Sequence, residues 1–238
     1  MSSLAREDAD DLREIDRWTD GVGWLAAPEE DAERASHAIR GADGGVWLFD
    51  PVDAPGVDDL VTDLGEVAGV AVLSNYHARD AGRIADRHDV PVYLPEWTNR
   101  VADRLAADVR VERFAAELGN SGFRVRGGTA LPGWRESVAY RPADGTLYVP
   151  DLLGTASTYT VGDERLAVYV FRRPVPPRDL LAGLAPERVL VGHGTGVFAD
   201  ASDALARALD RSRPGFPRAL RENGAIQLRL LAEGAVEL

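Results

Sequence analysis

The sequence predicts an α+β fold in which two strand-rich halves each close with a helix, giving an αββα layering. Three observations carry this. An early series of short apolar runs reads as an antiparallel meander, a middle stretch alternates strand and helix patterns, and a second half repeats that order more loosely. The chain of 238 residues suits one domain built from two packed halves, about 20–130 and 131–238.

Taken in order, the charged stretch over roughly 1–20 reads as a frayed helix or tail. Val22 to Ala26, Ala32 to Ile39 and Val46 to Phe49 are apolar runs separated by Pro, Glu, Asp and Gly, and Asp50-Pro51 closes the third with a turn. Val57 to Leu64 has helical spacing, and Val70 to Leu73 is a buried-strand run. Arg79 to Arg87 reads as a helix, Val90 to Leu94 as a strand, and Val101 with Leu105 marks a further helix.

In the second half Phe123 to Arg126 alternates as a half-buried strand should. Val138 to Tyr140 and Leu147 to Val149 flank Asp144-Gly145, a hairpin signal. Leu166 to Phe171 is predicted a strand, Leu180 to Leu184 a short helix and Val189 to Val191 a buried strand. Asp200 caps a helix expected to run to about Arg211.

The composition narrows the function classes. The formal net charge is −12, from 39 acidic and 27 basic side chains, and every basic residue is arginine. An acidic, lysine-free surface fits a halophilic protein in a high-salt cytoplasm, where screening removes much of the self-repulsion. It argues against nucleic-acid or anionic-membrane partners, which need a basic face. No apolar stretch approaches the ~18 residues of a membrane span. The N-terminus lacks the basic and apolar regions of a signal peptide, so a cytoplasmic location is expected. With no cysteine, disulfides, thiolate metal sites and thiol nucleophiles are excluded. Trp18, Trp24, Trp47 and Trp97 leave room for an aromatic interface, and the oligomeric state stays open. No G-x-S-x-G elbow, dinucleotide fingerprint or P-loop is present.

One constellation carries chemistry. An apolar strand runs into the turn Ser74-Asn75-Tyr76-His77-Ala78-Arg79-Asp80. Further along come Leu131-Pro-Gly-Trp134-Arg-Glu-Ser137, Leu147-Tyr-Val-Pro-Asp151 and Leu190-Val-Gly-His193-Gly194. With Phe49-Asp50-Pro51 before them, these pieces in this order resemble the metallo-β-lactamase fold superfamily, whose four-layer αββα sandwich carries an H-x-H-x-D-H turn. The resemblance implies a dinuclear metal centre that generates hydroxide at neutral pH. Carried over, the first metal site falls on Asn75, His77 and Trp134, and the second on Arg79, Asp80 and His193 with Asp151 bridging. Asparagine is a poor zinc ligand, tryptophan none, and arginine keeps its proton and repels a divalent ion.

The expectation is therefore a protein of this fold that has lost most metal ligands, metal-free and non-hydrolytic, with a binding or regulatory role toward a small-molecule ligand. Arg79 is expected to bridge Asp80 and Asp151 in place of the metal. The alternative is an ester, thioester or phosphodiester hydrolase using one Zn or Fe ion held among His77, Asp80, Asp151 and His193. A third reading makes His77 or His193 a metal-independent general base. His37 and His88 are read as structural.

Overall fold

The computed structural model describes residues 12–76, 78–98 and 100–236. A first sheet holds seven strands in chain order: β1 (Arg13–Trp18), β2 (Gly21–Leu25), β3 (Ala35–Arg40), β4 (Val46–Phe49), β5 (Val67–Ala71), β6 (Val92–Pro95) and β7 (Val111–Phe114). The first four pair antiparallel through short turns. From β4 onward the pairing is parallel, because each connection now crosses over the sheet. Helix α1 (Val57–Thr62) makes the first crossover and α2 (Ala81–Arg87) the second.

The second sheet begins with β8 (Arg124–Leu131), β9 (Trp134–Arg141) and β10 (Thr146–Val149). A small two-stranded unit, β11 (Leu153–Gly154) with β12 (Ala167–Val168), and a short helix α3 (Arg178–Leu181) follow. The chain then returns as β13 (Arg188–Val191) parallel to β10, giving the order β13-β10-β9-β8. A long helix α4 (Ala201–Val236) ends the described chain.

Three apolar layers hold these elements together. Trp47, Phe49, Ala71 and Leu73 of the first half meet Phe123, Ala139, Tyr148 and Leu190 of the second between the sheets. The alternate residues Val46, Leu48, Val70 and Val92 face outward onto Val57, Val61, Ile84 and Ala85 of α1 and α2. Leu147, Val149, Val189 and Val191 likewise face Ala204, Leu205 and Ala208 of α4. Both faces of the central strands are apolar, as burial between a second sheet and a helix layer demands. The result is helix, sheet, sheet, helix.

Several expected elements differ. Within the stretch read as a frayed helix or tail, Arg13–Trp18 form edge strand β1; residues 1–11 lie outside the described residues. The helix expected from Val101 shrinks to a 3-10 turn over Ala102–Arg104. Strand β7 was missed because only its two ends, Val111 and Phe114, are apolar. The strand expected over Leu166 to Phe171 pairs for two residues and then turns, since its partner β11 is equally short. Helix α4 runs far past Arg211, through Pro214 and Pro217. Ser212, Ala219, Asn223 and Gln227 continue its buried stripe, and that packing outweighs the helix-breaking prolines. Among the described residues, no helix is long and apolar enough to cross a membrane.

Candidate functional site

The chemistry-bearing residues gather where strands end. Asp50 follows β4, the turn Ser74–Asp80 follows β5, Asp151 follows β10 and His193 follows β13. Asp50 is fully buried with a left-handed φ of 44°. Its Oδ2 accepts a 2.7 Å bond from the Tyr148 hydroxyl and its Oδ1 a 3.4 Å bond from the Leu73 amide. Burial pushes its carboxyl up to about 6, with the Arg79 charge and the Tyr148 bond pulling the other way.

In the turn, Asn75 is consumed by structure. Its amide nitrogen Nδ2 donates to Gly133 O at 3.1 Å, and its Oδ1 accepts from the Arg135 amide at 2.8 Å. The Asn75 backbone also donates to Arg135 O. Asparagine thus pins the turn to the β8–β9 hairpin through both ends of its side chain. His77 lies outside the described residues.

Arg79 occupies the centre. Nη1 donates to Ala35 O at 2.6 Å and to Asp50 O at 2.7 Å, and Nη2 donates to Gly192 O at 3.1 Å. One guanidinium thereby ties β3, the β4 turn and the β13 turn together, satisfying carbonyls that leave the ends of the sheets. The expected bridge between Asp80 and Asp151 is not what forms among the described residues. Asp80 turns away to accept from the Asp53 amide at 3.0 Å and to pair with Arg83 at 3.6 Å. As the residue before α2, it sits on the outer rim of the turn. Carbonyls, rather than carboxylates, take the guanidinium because the strand ends converge on it first.

On the other side, His193 and Asp151 bind each other. His193 Nδ1 donates to Ala32 O at 2.6 Å, since a carbonyl can only accept, and its Nε2 lies 2.9 Å from Asp151 Oδ1. The ring stacks on Tyr159 with centroids 5.6 Å apart, and the Tyr159 hydroxyl donates to Asp151 O. The flanking glycines are there for space. A Cβ at Gly192 would lie 2.3 Å from Pro150 O, and one at Gly194, whose φ is 92°, would lie 2.3 Å from Thr155 Oγ1.

Glu136 is a buried acid that the sequence reading passed over. It lies on β9 with no exposure, and its Oε1 accepts from the amides of Leu152 at 3.0 Å and Asp151 at 3.4 Å. Its Oε2 makes no hydrogen bond among the described residues. Burial and then the nearby Asp151 charge hold this carboxyl well above the usual carboxylate range. The signal was present: Trp134, Glu136 and Val138 share one face of a strand whose other members on that face are apolar. Trp134 itself is buried in an aromatic run, 5.3 Å from Tyr76 and 5.0 Å from Tyr169.

A metal implied by the resemblance does not suit these residues. Asn75 has spent both amide atoms, and Trp134 offers no ligand. Among the described residues, Arg79 places a cation at the centre and Asp80 faces outward. Asp151, His193 and Arg79 are brought together around Gly192, with Asn75 and Trp134 at the rim; Asp80 is not. His37 and His88 pair with Asp16 and Asp58 away from this cluster.

No protein-family model matches the chain, and no curated protein matches it in sequence. Solved structures do. The DIM-1 metallo-β-lactamase superposes with a TM-score of 0.62 at 12% identity, covering 88% of this chain and 100% of that one. A metallo-β-lactamase from Pontibacter korlensis gives 0.60 at 14% identity, over 85% and 99% of the two chains. A fragment of the putative diflavin flavoprotein A 5 from Nostoc sp. PCC 7120 gives 0.59 at 13%, over 87% and 98%. With the layer order and strand-end cluster described above, these likenesses establish that the chain has the metallo-β-lactamase fold.

Proposed function

We propose that this chain is a metal-free, non-hydrolytic member of its fold that serves a binding or regulatory role. The observation that carries the reading is Arg79. Its guanidinium donates to Ala35 O, Asp50 O and Gly192 O, holding both halves of the site through one positively charged side chain. A divalent ion placed there would meet that charge at short range. The locked Asn75, whose amide atoms are both bonded to the β8–β9 hairpin, points the same way.

The hydrolase alternative, with one metal among His77, Asp80, Asp151 and His193, loses Asp80 to the outer rim. A screen of esters, thioesters and phosphodiesters separates the two readings. The metal-free reading expects no turnover above the His193→Ala background. Turnover abolished by His193→Ala and by chelator would overturn it.

A further inference from the structure

The rim above the Arg79 cluster has a chemistry that the cluster itself does not explain. The Arg104 guanidinium donates to Tyr76 O at 3.3 Å, and the charges of both Arg100 and Arg104 act on the Tyr76 phenol. Arg135 lies with its guanidinium carbon 4.6 Å from the centre of the Trp97 ring. Arg100 and Arg135 are exposed, and neither has a carboxylate partner among the described residues. Glu96 and Asp103 belong to the same stretch and are exposed.

Between these cations lie flat apolar surfaces. Tyr76 packs on Trp134, and Trp97 packs on the β8 backbone at Gly127. The Trp134 Nε1 donor is buried without a hydrogen-bond partner among the described residues.

We propose that Tyr76, Trp97, Arg100, Arg104 and Arg135 form a binding rim for a planar organic anion, its ring on the half-buried Tyr76 and Trp97 side chains and its charged group on the guanidiniums. This rests on the metal-free reading and names the ligand class for it. Guanidiniums match carboxylate and phosphate geometry and stack on rings, which suits an anion that carries a flat group. The net charge of −12 does not oppose this at close range, because at physiological salt the screening length is about 8 Å and the local guanidiniums dominate.

Tryptophan fluorescence titrations with phenyl phosphate and benzoate test the proposal. Inorganic phosphate, benzyl alcohol and benzylammonium serve as controls, each with and without EDTA. The two planar anions should quench saturably, with all three controls weaker by about tenfold or more. The double variant Arg100→Ala/Arg135→Ala should weaken the anions by a similar factor, and Arg100→Lys/Arg135→Lys should recover part of it, with far-UV circular dichroism unchanged. Equal binding of benzylammonium or of bare phosphate would overturn the proposal, as would an unaffected double-alanine variant. Anion binding that EDTA abolishes would overturn the metal-free reading instead, so the two failures are distinct.

Discussion

Arg79 supplies positive charge at one point and fixes the ends of three separate strands through carbonyls of Ala35, Asp50 and Gly192. Because it bonds carbonyls from β3, the β4 turn and the β13 turn, its loss would orphan buried acceptors and strip Asp50 of its nearest cation. Arg79→Met should therefore cost about 3 kcal/mol or more in chemical denaturation, with Arg79→Lys intermediate because one ammonium cannot span all three acceptors. The buried acids give a second expectation. Asp50 and Glu136 hold protons more tightly when folded than when unfolded, so stability from this source is present at low pH and lost as pH rises through the folded values. For Asp50 the window runs from 3.8 to about 6, a loss of about 3 kcal/mol at 1.36 kcal/mol per pH decade. For Glu136 it begins at 4.5 and extends well above. Glu136→Gln keeps the acceptor for Leu152 and cannot ionise, so its melting temperature should fall less than the parent's between pH 6 and 9, and parallel curves would contradict this. Of these residues, Arg79, Asp151 and His193 were singled out by the resemblance of their turns to the fold's motifs, though the carbonyl partners of Arg79 were not foreseen. Glu136 and the outward turn of Asp80 were not, because burial and side-chain direction are set by the neighbouring hairpin.

Helix α4 shows how an element's length escapes sequence reading. Two prolines and a glycine near residue 215 mark an apparent stop, yet the buried stripe continues. Past it, Asn223 Nδ2 donates to Ser157 O and Thr160 O, and Gln227 Nε2 donates to Thr158 O. These polar side chains hold the loop after β11, which carries Tyr159 beneath His193. Asn223→Ala with Gln227→Ala should lower stability by about 2–4 kcal/mol, since buried carbonyls lose their donors. Hydrogen exchange should locate the loss at the amides of Tyr159 and Thr160, which bond Ala156 O; uniform loss across both sheets would contradict it. The strands, by contrast, were legible wherever both faces are apolar, as at β4, β10 and β13. The edge strands β1 and β7 were not, because each has only one buried residue and the rest reads as loop.

Across the whole molecule, charge and fold pull in different directions. The order of turns named the fold even though sequence identity to the solved structures it superposes on is only 11–14%, because the layers depend on alternation and crossovers, not on particular residues. The net charge of −12 with no lysine implies strong self-repulsion at low salt. The melting temperature should rise between dilute buffer and molar KCl, and a flat response would remove the high-salt interpretation. The central claim, that this chain is a metal-free member of its fold, is tested most directly by metal content. Protein purified without chelator, incubated with Zn, Fe or Mn and then desalted, should retain well under one equivalent, unchanged by Asp151→Ala or His193→Ala. Retention of about one equivalent that either substitution abolishes would contradict it.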